Sequence, residues 1–375
     1  MSAPRVGVIG AGQLARMMGE SASALGVELA VYAYEGEEPC VPLSAVTDER
    51  DLEAFARSVD VLTFDHERLD LDELARLEGL GLAIFPSTGA LRFSDKAHQR
   101  QHLHDKGLPV PRFTIVRDSL EAVAFGDDVG WPIVLKPATG GYDGKGVHIV
   151  DGADAARRLL TDGAPLDVPW VAEELLAIDH ELAVVVVTGR DGERVNYPVV
   201  STVQHDGVCR EVTVPARVSP SVRDEAEALA LDVAAVVGAV GVLAIELFVV
   251  DGRVLVNEVA PRPHNSGHIT MEASATSQFE NHLRAVLGWP LGSPALRAPA
   301  AAMVNVFGPA DGSDPRARAA DALGGDVHLH LYGKSPRPGR KLGHVNAIAD
   351  TLDEAHARAW GAAAALGTDR PGDER

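Results

Sequence analysis

"KPATGGYDGKG", residues 136–146, decides how the chain is read. The apolar run "WPIVL" leads into it, so Lys136 ends a strand at a point where its ammonium can reach an anion. Gly140, Gly141, Gly144 and Gly146 free the backbone to fold over phosphate oxygens, and Lys145 adds a second cation. The spacing G-x-x-x-x-G-K-[ST] of a Walker loop is absent. A hairpin turn at "YDGK" is the plainer alternative, although a turn needs neither four glycines nor the strand lysine.

Downstream, "VAEELLAIDHELAVVV" places Glu173 and Glu174 at the end of one strand and Glu181 at the start of the next. Charged residues at strand ends are ordinarily solvated. "GVLAIELFVVDGRVLVNEVAPR" then reads as a hairpin turning at Asp251 and Gly252, with Glu246 on one strand and Glu258 on the other. Both lie in apolar runs, where a carboxylate is costly unless paired or bound to metal. Two carboxylates near a phosphate are the usual holder of Mg²⁺. Rim carboxylates paired with arginines such as Arg262 are the alternative.

Register tests the metal reading. A two-residue turn pairs Val250 with Arg253, sets Glu246 opposite Asn257, and sends the glutamates to opposite faces. A shared metal requires a three-residue loop or an equivalent bulge, which brings Glu246 opposite Glu258 with Cβ atoms roughly 4.5–5.5 Å apart. The three-residue loop would also put Phe248, Val250, Val254 and Val256 on the glutamates' face. Directly after comes "NEVAPRPHNSGH", residues 257–268, a polar run whose prolines disfavour helix and sheet and leave its side chains free for ligands.

Upstream, residues 5–95 alternate strands ("RVGVIG", "VELAVYAY", "VDVLTFD", "LAIFPS") with helices, the grammar of a parallel doubly wound unit. Gly10, Gly12 and Ala15 form G-x-G-x-x-A, with Glu35 near the end of the second strand, close to a dinucleotide fingerprint. A nicotinamide-dependent oxidoreductase is one hypothesis from this segment. Its narrower physical content is a helix N-terminus whose N–H groups attract a phosphate, or a glycine turn with no ligand.

The chain has 375 residues, enough for two or three domains, and 46% are hydrophobic. A net charge of −20 argues against nucleic-acid and anionic-membrane partners. Cys40 and Cys209 are too few for a disulfide framework or zinc site, which suits a reducing cytoplasm. The N-terminus enters a strand with no basic-then-apolar leader, and no run reaches the roughly 18 apolar residues of a membrane span. His328 and His330 share a strand face but lack a third metal ligand at a sensible spacing.

The strand lysine, glycine-rich loop, glutamate pair and carboxylate hairpin, in that order, resemble the ATP-grasp superfamily. Within it, "GGYDGKG", "NEVAPRPHNSGHIT", "QFENHLRA" and "RPGRKLGHVN" are similar to the 5-(carboxyamino)imidazole ribonucleotide synthetases of purine biosynthesis, over nearly the whole chain. The resemblance implies an α/β and α+β ATP-grasp fold: an N-terminal doubly wound parallel α/β domain (1–95), an ATP-grasp region (96–295) with a mobile lid at about 112–170, and a small β-rich C-terminal domain (296–375). It implies carboxylation of 5-aminoimidazole ribonucleotide by bicarbonate with ATP and Mg²⁺ (or Mn²⁺), by a cytoplasmic homodimer. Another carboxylate–amine ligase of the superfamily is the alternative, and a non-catalytic nucleotide-binding protein is a further one.

Residue by residue, the resemblance puts Lys96 and Lys136 on the ATP phosphates and makes Gly141, Tyr142, Asp143, Gly144, Lys145, Gly146 and Val147 the cover over them. Glu173, Glu174, Leu175 and Leu176 become the hinge that receives adenine, Glu181 the ribose ligand, and Gln204 a nucleotide neighbour. Glu246 and Glu258 become the metal ligands, with Asn257 beside them. Tyr142, Asp143, Lys145, Arg262 and His264 face the reacting groups. Gln13, Glu67, Asn265, Ser266, Lys334, Arg340 and Lys341 meet the ribonucleotide, whose phosphate becomes the anion of the glycine turn. The chain departs from the family at Lys96, where many members carry Arg and its fork, at Gln204, where many carry His, and at Asp65 and His66 within "TFDHERL".

Overall fold

The structure, a computed structural model, describes residues 2–140, 146–161 and 168–370. The N-terminal segment supplies β1 (Arg5–Ile9), β2 (Glu28–Tyr32) and β3 (Val61–Phe64), a parallel sheet in the order β2-β1-β3. Continuous apolar runs suit strands covered on both faces. Helix Gln13–Leu25 follows β1 and stops at Gly26, whose φ of 66° is the left-handed cap a helix end favours. The expected fourth strand, "LAIFPS", is reduced to one bridge between Leu62 and Ile84. Leu62 N donates to Ala83 O and Phe85 N to Leu62 O, and then Pro86, with no N–H, ends the pairing.

A second, antiparallel sheet is built from β4 (Phe113–Val116), β5 (Ile133–Pro137), β6 (His148–Val150) and β7 (Trp170–Glu174), in the order β4-β7-β5-β6. Helices Ser119–Val129 and Ala153–Thr161 cover one side, enclosing Val116, Ala122, Ile133, Leu135 and Ala172. Lys136 lies at the end of β5.

The third sheet carries β8 (His180–Thr188), β9 (Arg194–Asn196), β10 (Val200–His205), β11 (Val208–Val214), β12 (Gly241–Val250), β13 (Arg253–Ala260), β14 (Ala300–Phe307), β15 (His328–Leu331) and β16 (Lys341–Ala349). Its order is β13-β12-β8-β10-β11-β14-β16-β15, antiparallel throughout, with β9 paired to β8. The β-rich C-terminal segment therefore extends the central sheet through β11 and β14. Helix Pro220–Val237 packs Ala226, Leu229, Ala230 and Val233 on Leu182, Val184, Leu243, Ile245 and Leu247. It starts on the Ser219 cap with Pro220 in its first turn. The opposite face of the sheet carries Glu181, Glu246 and Glu258.

The β12–β13 hairpin shows how those glutamates meet. Val250 pairs with Arg253, so the turn has two residues, Asp251 at φ 49° and Gly252 at φ 74°, the conformation Asp-Gly favours. Between Glu246 and Leu247 the register shifts: Leu247 pairs with Val256 and Glu246 with Glu258, which leaves Asn257 as the extra residue of a bulge. The glutamates thus share a face through the bulge, and the three-residue loop is not used. One consequence of that loop fails with it. Val254 and Val256 belong to the core under helix Pro220–Val237, and Phe248 pairs with Leu255 instead.

Candidate active site

Helix Lys96–Asp105 runs along β13, the edge of the central sheet, and delivers three polar side chains to it. Lys96 Nζ donates to Glu258 Oε1 at 2.6 Å. Gln99 makes a strand-like pair with Val259, giving Nε2 to its O at 3.1 Å and accepting its N–H at 3.2 Å. Arg100 Nε donates to Glu173 Oε1 at 2.9 Å, NH1 to Val256 O at 2.8 Å and NH2 to Asn257 O at 2.9 Å. Lys136 Nζ reaches the other oxygen of Glu173 at 2.8 Å. Both lysines expected on phosphates are therefore held by carboxylates.

Electrostatics follows from those partners. Burial raises the Glu173 carboxyl, but Arg100 and Lys136 outweigh it and hold the group at about 2. Glu173 is thus a buried ion-pair partner, with two cations offsetting its lost hydration. Burial also raises Glu258, and Lys96 more than reverses it, with Lys136 and Arg262 adding to the lowering. Among the described residues no Lys or Arg pairs directly with Glu246, and Lys96 and Arg262 act on it only from a distance. Burial, then Glu258 and Glu181, push it up to about 7. Asn257 Nδ2 lies 3.4 Å from one of its oxygens and His264 Nε2 3.7 Å from the other. Glu181, also raised by burial, is hydrogen-bonded to Gln204. In the expected hinge, Glu174 Oε1 accepts the Arg112 N–H at 2.9 Å, Leu175 is exposed and Leu176 half-buried.

The polar run 257–268 is pinned from behind by Gln278. Its Oε1 accepts the His264 N–H at 3.0 Å, and its Nε2 donates to His264 O at 2.8 Å. A Cβ on Gly267 would stand 2.2 Å from Gln278 Oε1, so that position needs glycine. His264 Nδ1 accepts the Ser266 N–H at 3.3 Å, which puts the ring proton on Nε2, the nitrogen facing Glu246. Burial, then Arg262 and Lys341, lower His264 to about 3, so the ring is neutral. Arg262 Nε lies 3.1 Å from Glu67 Oε1. Asn265 is engaged at both ends of its amide by Asn305, at 2.9 and 2.8 Å, and Ser266 is buried against His264.

The glycine turn departs from its expected use. Asp65 Oδ2 accepts the Gly12 N–H at 3.0 Å, Asp65 Oδ1 the Ala15 N–H at 2.6 Å, and Glu37 Oε1 the Ala11 N–H at 2.8 Å. The donors that a phosphate would use are satisfied by the chain's own carboxylates. Gly12 is required because a Cβ there would stand 2.2 Å from Asp65 Oδ2. Asp65, one of the departures from the family pattern, thus caps the helix that the fingerprint reading left open to a phosphate.

Gln13 and Lys334 meet at the seam between the N- and C-terminal segments, Nζ to Oε1 at 2.6 Å. Beside them Glu38 accepts from Ser335 N at 2.7 Å, Ser335 Oγ at 2.5 Å and Arg340 NH1 at 2.8 Å. Burial lowers Lys334. Lys341 begins β16, and its charge is felt at His264. His330 pairs with Glu272 at 3.0 Å and stacks on His344. Gly141, Tyr142, Asp143, Gly144 and Lys145 lie outside the described residues. Gly146 (φ 87°) and the exposed Val147 follow them.

Arg100, Gln99, Glu38, Gln278 and Asn305 were missed by the reading of the sequence. For Arg100 a signal existed: it stands four positions after Lys96 and so shares its helix face.

Comparison with known proteins follows the same order along the chain. The descriptions "Ribonucleotide synthetase preATP-grasp domain", "ATP-grasp domain" and "Phosphoribosylaminoimidazole carboxylase C-terminal domain" match residues 3–95, 101–279 and 301–358. The chain is 42% identical over 374 residues to the N5-carboxyaminoimidazole ribonucleotide synthase of Mycobacterium tuberculosis (strain ATCC 25618 / H37Rv), covering 95% of this chain and 86% of the relative. It is 40% identical over 351 residues to the enzyme of the same name from Synechococcus elongatus, covering 91% and 88%. A solved structure of the synthase from Aspergillus clavatus in complex with ADP and 5-aminoimidazole ribonucleotide matches with a TM-score of 0.84 at 32% identity, over 97% of this chain and 99% of that one. The synthetase of Thermus thermophilus matches with a TM-score of 0.84 at 33% identity, over 98% and 100%. With all three domain types present in order and relatives matched nearly end to end, the chain belongs to the N5-carboxyaminoimidazole ribonucleotide synthase family of ATP-grasp ligases.

Proposed function

We propose that the protein carboxylates the exocyclic amine of 5-aminoimidazole ribonucleotide with bicarbonate at the expense of ATP, giving N5-carboxyaminoimidazole ribonucleotide, ADP and phosphate. One observation carries the reading: Glu246 and Glu258 stand side by side on one sheet face, with Lys96 and Lys136 gathered around them. That donor set fits Mg²⁺, since carboxylate oxygens with room for phosphate oxygens suit a hard cation. Glu246 and Glu258 would hold the ion, whose charge would help to offset the charge that develops in phosphoryl transfer.

Bicarbonate is a poor electrophile. Its oxygen attacks the γ-phosphorus and ADP leaves, which converts a hydroxyl into a phosphate leaving group. The amine then takes the carboxyl carbon of carboxyphosphate, or of CO₂ released from it, and phosphate departs. Lys96 and Lys136, oriented by Glu258 and Glu173, reach the nucleotide phosphates. Glu173, Glu174, Leu175 and Leu176 receive adenine and Glu181, beside Gln204, the ribose. Gly141, Tyr142, Asp143, Gly144, Lys145, Gly146 and Val147 cover the phosphates, on a lid spanning about 112–170. Tyr142, Asp143, Lys145, Arg262 and the neutral His264 face the reacting groups, and Gln13, Glu67, Lys334, Arg340 and Lys341 the ribonucleotide. Asn265 and Ser266 shape the wall behind it.

The deciding test is ADP release with and without 5-aminoimidazole ribonucleotide and bicarbonate. Release that needs neither would overturn the reading. A nicotinamide reaction is disfavoured by Asp65, which fills the place of a dinucleotide phosphate. Assembly as a homodimer, which the family resemblance implies, is checked by light scattering.

A further inference from the structure

We propose that Arg100 is the positioning residue that sets both the metal carboxylates and the phosphate lysine. A two-residue turn alone sends Glu246 and Glu258 to opposite faces; the bulge at Asn257 corrects this. A bulge turns backbone carbonyls out of the ladder, and among the described residues β13 is an edge strand with no further strand to receive them. The carbonyls of Val256 and Asn257, the two residues before Glu258, both accept from one guanidinium, that of Arg100. Gln99 secures Val259 on the other side of Glu258. The bulge is therefore held by side chains from helix Lys96–Asp105.

The same guanidinium grips Glu173 through Nε and NH2, and Glu173 holds Lys136. Arg100 is only 3% exposed and Glu173 only 4%, so the pair makes a stiff link from β13 to β7 and, through Lys136, to β5. One planar fork thus reaches the two elements that must grip opposite sides of a metal–nucleotide complex. Lysine keeps the charge but has no fork, and reaches one partner in place of three. Arg100 stays behind the site: among the described residues its hydrogen bonds go to backbone and to a carboxylate already engaged by Lys136.

The inference rests on the metal assignment above, and its test separates the two. Mn²⁺ binding without nucleotide is read by electron paramagnetic resonance of the free ion, alongside apparent KM values for Mg-ATP and for the ribonucleotide. In Arg100→Lys, with cooperative melting retained, Mn²⁺ affinity should fall and the KM for Mg-ATP rise, each about tenfold or more, while the KM for the ribonucleotide stays within about twofold. Unchanged Mn²⁺ and Mg-ATP constants, or an equal rise for the ribonucleotide, would overturn the role. If Arg100→Lys does not fold, Arg100→Gln combined with Glu173→Gln removes the buried pair together, and Mn²⁺ affinity alone decides: a fall of about tenfold or more supports the role and an unchanged value overturns it. Wild-type Mn²⁺ binding that survives Glu258→Gln would overturn the metal assignment itself, and this inference with it.

Discussion

Glu38 Oε2 accepts a hydrogen bond from Arg340 NH1 at 2.8 Å, so a carboxylate of the N-terminal segment already neutralises a cation of the C-terminal one. The Ser335 N–H and hydroxyl complete a three-donor cradle around Glu38, and hydrogen bonds from Ser335, then Arg340, hold its carboxyl at about 2. Such a cradle suits any compact anion. Arg340→Ala should raise the apparent KM for the ribonucleotide by about tenfold or more, equivalent to roughly 1.4 kcal/mol of binding, and leave that for ATP nearly unchanged. Glu38→Gln, which removes a competing anion, should lower the ribonucleotide KM. Steady-state kinetics with each substrate varied would show both effects; an Arg340→Ala enzyme impaired mainly toward ATP would relocate the substrate.

Lys136→Met should abolish ATP turnover in a folded protein. Arg100 remains on Glu173 after the change, so the buried carboxylate keeps a cation. Activity within about tenfold of wild type, roughly 1.4 kcal/mol of barrier, would contradict a role on the phosphates.

Asp65→Ala should destabilise the N-terminal sheet. It strands the Gly12 and Ala15 N–H groups beneath a buried turn, at a cost of about 1–3 kcal/mol. The midpoint of urea unfolding should fall accordingly. Fluorescence titration with NADH should detect no binding to either protein.

His282 gives a pH dependence with a definite sign. Its Nδ1 accepts the Val242 N–H at 3.1 Å, so the proton sits on Nε2 and is donated to Thr63 Oγ1 at 2.7 Å. Burial lowers the group from 6.5 to about 3. The unfolded chain therefore binds a proton that the folded one refuses. Stability from this group is complete above pH 6.5 and is lost as pH falls toward 3, by about 1.4 kcal/mol per pH unit. His264, His268 and His344 are lowered in the same direction. Urea unfolding at several pH values should give a slope shallower by one proton in His282→Asn; equal slopes would rule out its buried neutral state.

The hairpin turn was legible because Asp251-Gly252 is a local code for two left-handed residues. The bulge beside it has no such code. It was required by chemistry, since glutamates in apolar runs had to meet, while its cause sits in Arg100, 157 positions before Asn257. The ion pairs of Glu173 were illegible for the same reason: its partners Arg100 and Lys136 stand 73 and 37 positions away. Asp65 shows the reverse error. The glycine spacing correctly gave a tight turn into a helix, but the anion at that turn comes from the end of another strand, 53 positions from Gly12. Local patterns specify backbone shape, whereas charge partners are set by tertiary pairing that no window of sequence contains.

The continuity of the central sheet limits how the chain can be divided. Glu211–Val214 is hydrogen-bonded to Ala301–Val304, so cutting the chain ahead of Ala300 would not release an intact ligase core. It would bare a row of unpaired amides flanked by Val212 and Val214, a template for pairing between molecules. The C-terminal segment is thus also a guard against self-association, and shortened proteins made to isolate the nucleotide site should precipitate unless that edge is covered.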